Sequence, residues 1–179
     1  DAEEVAVREG PFDLIFSRHG VMFFADPVRA FRAFRAAASD GASLVFSCFQ
    51  SWQTNPWPSD LACTAAGRDL PPPGREPSGF ACAEPDYVRE VLNSAGWSQV
   101  EWRSVPFRYV AAEGEGAVEQ ALSFLGAIGP ASRIVGELPQ AERVAAVDRM
   151  GGVIERHFDG SAVEFPAAAW IWSARAGTA

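Results

Sequence analysis

Two short apolar runs flank a strongly capped helix, and that pattern narrows the fold more than anything else in the chain. Phe12-Asp13-Leu14-Ile15-Phe16 is almost continuously apolar, as expected of a strand buried on both faces. Asp26-Pro27 follows. Asp suits a helix N-cap, and Pro suits the first helical position, where its fixed φ is helical and its missing N–H is not needed. Val28, Phe31 and Phe34, with Ala30, Ala33 and Ala37, then repeat at helical spacing. Asp40-Gly41 turns the chain, and Leu44-Val45-Phe46 with Cys48 and Phe49 makes a second buried strand. Strand, helix and strand joined this tightly imply parallel strands with a right-handed crossover. The fold class is therefore α/β.

The rhythm breaks over residues 50–79, where prolines crowd at Pro56, Pro58, Pro71, Pro72, Pro73 and Pro77. This stretch reads as a long Pro-rich surface loop inside one domain, residues 1–179, because the strand–helix alternation resumes after it. Glu84-Pro85 opens a helix carrying Tyr87, Val88, Val91, Leu92 and Ala95 on one side, and Gly96 suits its left-handed end. Residues 98–105 alternate as a third strand. Two helices are expected over 115–128 and 139–157, with Gly151-Gly152 a break in the second. Val163 to Ala174 reads as a closing strand, antiparallel to 98–105.

Composition excludes several functions. The 179 residues carry 23 Asp and Glu against 15 basic residues, all Arg, for a net charge of −8. Such a chain is poorly suited to nucleic acid, whose binding rests on neutralising phosphates. No apolar run reaches the ~20 residues a bilayer demands. Cys48, Cys63 and Cys82 include no CxxC, and only His19 and His157 could add imidazole ligands. Neither a disulfide framework nor a metal site is expected, and the cytoplasm is the default compartment. Gly114-x-Gly116 between a strand-like segment and a helix imitates a dinucleotide loop, but Glu119 occupies the third small-residue position. No G-x-S-x-G elbow supports a hydrolase.

The run from Phe12 to Pro27 resembles the fourth-strand region of class I S-adenosylmethionine-dependent methyltransferases, particularly the small-molecule enzymes akin to quinone-biosynthesis methyltransferases. Ser39-Asp40-Gly41-Ala42-Ser43-Leu44-Val45-Phe46 resembles the family's entry to its fifth strand. Asn55-Pro56-Trp57 follows where such proteins often carry it, and Ala167 to Arg175 resembles the terminal strand. The resemblance implies a Rossmann-like methyltransferase sheet with a final antiparallel strand and a helical substrate lid over residues 113–158. The family's glycine-rich cofactor loop and its ribose-binding acid are not in this sequence. The chain therefore reads as the C-terminal portion of such a domain, with residues 12–17 expected to pair on one side only.

The resemblance implies S-adenosylmethionine as cofactor and a small organic molecule as substrate, with a homodimer left open. Ligands in open α/β sheets bind beyond the carboxyl ends of strands, here Ser17–Gly20 and Phe46–Gln50. Asp1, Ala2, Ser17, Arg18 and His19 are the expected cofactor contacts, although Ser17 and Arg18 could equally satisfy loop backbone or pair with acids. His19 is the candidate general base, or an ordinary loop histidine. Phe23, Phe24, Trp52 and Trp57 either line the substrate pocket or pack in the core. Asn55 either turns the chain or contacts substrate, and Arg133 either meets an anionic substrate or pairs on the surface. The alternative function is a non-catalytic fragment or binding module that cannot hold the cofactor alone.

Overall fold

The computed structural model describes residues 2–177, which fall into two compact units. The first unit holds residues up to Gln50, Pro73–Val105 and the chain from Ala169 onward; the second holds Ser51–Pro72 and Pro106–Ala168.

The first unit is built on the anticipated crossover. Helix α1 (Ala2–Glu9) precedes strand β1 (Phe12–Arg18), a 3-10 turn at Val21–Phe23, helix α2 (Pro27–Ala36) and strand β2 (Ala38–Phe49). Asp26 caps α2 by accepting the Arg29 N–H at 2.9 Å, with Pro in the first turn. β1 and β2 are parallel, with Leu14 opposite Ser43, Phe16 opposite Val45 and Arg18 opposite Ser47. Helix α4 (Pro85–Ser94) then leads into strand β3 (Trp97–Glu113), and strand β4 (Ala162–Ala176) ends the order of elements. The sheet order is β1-β2-β4-β3. β4 runs antiparallel to β2, from Ser43 opposite Arg175 to Phe49 opposite Ala169. The Ser98–Arg175 hydrogen bond and the Trp102–Trp172 stack show β3 and β4 running in opposite senses as well.

One face of this sheet is covered. Phe31 and Phe34 of α2 and Val88, Val91 and Leu92 of α4 pack on Leu44, Phe46, Cys48 and Trp172. Burial of these side chains removes apolar surface from water, the main favourable term in folding. The Trp97 ring N–H, buried with them, donates to Phe31 O at 2.9 Å. The expectation that β1 is buried on both faces is wrong. Leu14 and Phe16 are exposed, because the described helices of this unit cover only the opposite face. The pairing of residues 12–17 on one side only is as expected: β1 is an edge strand.

The second unit contains helices α3 (Pro56–Ala66), α5 (Ala117–Ala127), α6 (Gly129–Glu137) and α7 (Gln140–Glu155), with the far end of β3 and the start of β4. α3 packs on α6 and α7, and α5 packs on both as well. Three sequence readings are corrected here. Residues 50–79 are not all loop, since Asn55-Pro56 starts α3 and left-handed Gly67 ends it. The residues between the two expected helices, Gly129 to Arg133, open a third helix, again with Pro in its first turn. Gly151-Gly152 does not break α7. A Cβ at Gly151 would stand 3.7 Å from the Leu122 side chain, so Gly there permits close packing of α7 on α5. At the Gly114-x-Gly116 sequence both glycines have positive φ, and Gly116 precedes α5 as its N-cap.

Candidate functional site

The carboxyl ends of β1 and β2 lie side by side, and His19 joins them. Its N–H donates to Ser47 O at 3.1 Å, continuing the parallel ladder one residue past β1. His19 has φ of 56°, so the chain turns sharply there into the 3-10 turn. That turn folds the imidazole over the end of β2. The ring stacks on Phe49 with centroids 4.4 Å apart and planes 15° apart. Phe49 in turn stacks on Phe80 at 5.9 Å. Its N–H donates to the Met22 thioether sulfur at 3.4 Å, and Met22 O accepts from Ser78 N–H. Three separate segments thus fix the position of one imidazole.

Electrostatics give that imidazole a defined charge state. Burial lowers the His19 pKa below its ordinary value, and the neighbouring Arg18 cation lowers it further. His19 is therefore neutral at neutral pH and able to take up a proton. Its Nδ1 is buried with no hydrogen-bond partner. Ser17 is half-buried, and a Cβ on Gly20 would fall 2.9 Å from its hydroxyl oxygen, so Gly allows the turn to fold back against Ser17. Gln50, just beyond β2, is buried and donates through Nε2 to Ser104 Oγ at 2.7 Å and Ala169 O at 3.1 Å. This ties the tip of β2 to β3 and β4.

The remaining candidates divide. Arg18 is exposed, and Phe23 is 58% exposed beside His19 in sequence. Phe24 packs edge-on against Phe31 at 5.9 Å and Phe34 at 5.7 Å, which fits the core reading. Ala2 is the exposed first residue of α1, and Asp1 lies outside the described residues. The other four belong to the second unit. Trp52 and Trp57 are buried, and Trp57 stacks on Tyr109 at 4.8 Å with planes 4° apart. Asn55 is fully buried: its Nδ2 donates to Ala168 O and its Oδ1 accepts the Ala168 N–H, both at 3.0 Å. That is the pairing a neighbouring strand would make, so the structure gives Asn55 an architectural role. Arg133 is exposed on α6.

Sequence reasoning missed the positioning roles of Phe49, Phe80, Met22 and Gln50. The parallel register brings the ends of β1 and β2 together, but it sets His19 level with Cys48, and only the left-handed turn at His19 carries its ring onto Phe49. Nothing in the sequence signals the approach of Phe80. Among the described residues no cluster of three His, Cys, Asp or Glu side chains could hold a metal. No described helix is long and apolar enough to cross a membrane.

No protein-family description matches this chain, and no curated protein does. Solved structures do resemble it, and methyltransferases stand among them. BH2331 of Bacillus halodurans, whose name proposes a methyltransferase, is 11% identical with a TM-score of 0.49, over 94% of this chain and 71% of its own. The [4+2]-cyclase SpnF is 16% identical with a TM-score of 0.44, over 95% of this chain and 51% of its own. Phosphoethanolamine N-methyltransferase 2 of Haemonchus contortus is 10% identical with a TM-score of 0.41, over 93% and 34%. This chain therefore spans about half of the second protein and a third of the third.

Proposed function

We propose that the chain is the C-terminal part of a class I methyltransferase that moves a methyl group from S-adenosylmethionine to a small organic molecule. The observation that carries this reading is the junction of β1 and β2, where His19 bonds Ser47 and lies flat on Phe49. Two parallel strands ending together form the place where open α/β sheets take ligands.

The residues at this junction suit the cofactor in kind. His19 offers a buried, unpartnered Nδ1, and Ser17 a half-buried hydroxyl. Arg18 brings an exposed cation suited to a carboxylate. Ser17, Arg18 and His19 would hold the cofactor, which when bound supplies an electrophilic methyl on a sulfonium. The work left to the protein is positioning and exclusion of water. Neutral His19 can take a proton from an acidic methyl acceptor, or orient an acceptor that needs no base. Phe23 presents an exposed ring for an apolar substrate. Three free thiols favour a reducing compartment, and we assign the cytoplasm.

Calorimetric titration with S-adenosylmethionine tests the proposal. The expected result is saturable heat with this chain, weakened by His19→Asn. Heat that His19→Asn leaves unchanged would move the site elsewhere. No heat from this chain or from a longer one containing it would end the methyltransferase reading.

A further inference from the structure

The two nitrogens of the His19 ring stand in different surroundings. Nδ1 is sealed from solvent and bonds no described residue, whereas Nε2 is not sealed on this half-buried side chain. A neutral imidazole carries one proton, and the nitrogen without it is an acceptor. With the proton on Nδ1, an N–H would be buried with nothing to receive it, and such orphaned donors are rare in folded proteins. With the proton on Nε2, the N–H meets water or a ligand. Only a bare lone pair is left inside, and it needs no room for a hydrogen among packed atoms. The anchored backbone and the Phe49 stack hold the ring in this orientation. The atom that an incoming molecule meets is therefore Nε2, with its proton in place.

We infer that His19 acts as a hydrogen-bond donor through Nε2–H, holding the oxygen of a methyl acceptor that is already ionised when it binds. This rests on the methyltransferase reading and decides between the two roles that reading allows for His19. Taking a proton from the acceptor would need a bare Nε2, and hence the buried, unanswered N–H on Nδ1. An ionised acceptor needs no such step. Its lone pair forms the bond to the methyl carbon, the carbon–sulfur bond of the sulfonium breaks to leave a thioether, and no proton is transferred. An oxyanion suits this donor better than an amine does. The amine has one lone pair, and a hydrogen bond would occupy it, whereas the oxyanion accepts from Nε2–H and keeps a lone pair for attack. Arg18 is the charged group acting on the ring, and its exposed guanidinium favours the same anionic form. Phe49, Phe80 and Met22, packed behind the ring, are uncharged. The substrate class is a small acid ionised at neutral pH.

Long-range nitrogen–proton correlation NMR of the chain at pH 7.5 reads the tautomer and needs neither ligand nor variant. The expected spectrum places the His19 proton on Nε2. His157 supplies the opposite case: its Nδ1 lies 3.1 Å from Glu164 O, a carbonyl that can only accept, so its proton sits on Nδ1. His157→Gln assigns the two rings. A second arm titrates para-nitrophenol across the phenol's own ionisation. Binding should tighten as the phenol ionises and should shift the Nε2–H signal. His19→Asn, whose amide does not reach as far as Nε2, should weaken it about tenfold, the worth of a hydrogen bond to a charged group. A proton on His19 Nδ1 overturns the inference, even where S-adenosylmethionine binds with saturable heat. So does a phenol that binds only in its neutral form, does not bind, or leaves the Nε2–H signal unmoved. The expected tautomer and phenolate binding without S-adenosylmethionine heat would instead fail the methyltransferase reading alone and leave His19 the donor of an oxyanion site.

Discussion

The imidazole of His19 lies flat on the ring of Phe49, centroids 4.4 Å apart. An apolar ring face excludes water from one side of the imidazole, and burial is the larger cause of its lowered pKa. Replacing Phe49 by Ala should hydrate the ring and raise the His19 pKa toward its ordinary value near 6.5. Replacing Arg18 by Gln should raise it by less, because the Arg18 cation is the smaller cause. Proton NMR titration of the imidazole reads both. A larger response to Arg18→Gln than to Phe49→Ala would show that charge, not burial, governs this site.

The same residue sets a pH dependence of stability. Folded His19 binds its proton less readily than unfolded His19, so the unfolded chain carries more protons just below pH 6.5. Stability contributed by neutral His19 is present above that value. It declines as pH falls through the window between the unfolded pKa and the lowered folded one. His19→Asn should remove this component while tolerating the left-handed backbone at φ 56°. Urea midpoints compared at pH 7.5 and 5.5 should converge more in the variant than in the wild type. An equal fall in both would assign the acid sensitivity to other groups.

Cysteine chemistry should separate the three thiols. Cys48 and Cys82 are buried, and Cys48 S–H donates to Cys82 O at 3.4 Å. Burial pushes both thiols up, Cys82 to about 12, so neither forms the reactive thiolate at pH 8. Cys63, on α3, is partly exposed. Mass spectrometry after iodoacetamide treatment should find one modified site, Cys63, in the folded chain and three after denaturation. Modification of Cys82 at a comparable rate would mean that its segment opens readily.

The elements legible in the sequence were those whose ends and faces carried a signal together. Asp26-Pro27 with Phe31 and Phe34, and Glu84-Pro85 with Val88, Val91 and Leu92, gave α2 and α4 their starts and their buried faces. Asn55-Pro56 carries the same start signal for α3, but the nearby prolines obscured it. β3 is 17 residues long, far beyond 98–105, and most of its side chains are exposed or half-buried. A strand without a buried face shows no apolar alternation, so its length could not be read. At the site, the strand tips were legible because parallel register follows from the crossover. The His19–Phe49 stack was not, since it depends on one left-handed residue turning the ring back over β2.

Asn55 offers the sharpest test of a residue whose type suggested chemistry and whose geometry shows construction. Its amide pairs with both backbone groups of Ala168, and its Nδ2 also donates to Ser51 O at 3.1 Å. Asn55→Ala would leave the Ala168 N–H and C=O buried without that partner. An unmade buried hydrogen bond costs about 1–3 kcal/mol, so the loss should reach about 2–4 kcal/mol. Asn55→Asp should cost a similar amount, because a carboxylate keeps the Ala168 N–H contact but repels the carbonyls of Ser51 and Ala168. Chemical denaturation measures both. If Asn55→Ala folds as stably as wild type while losing affinity for a methyl acceptor, Asn55 belongs to a binding surface after all.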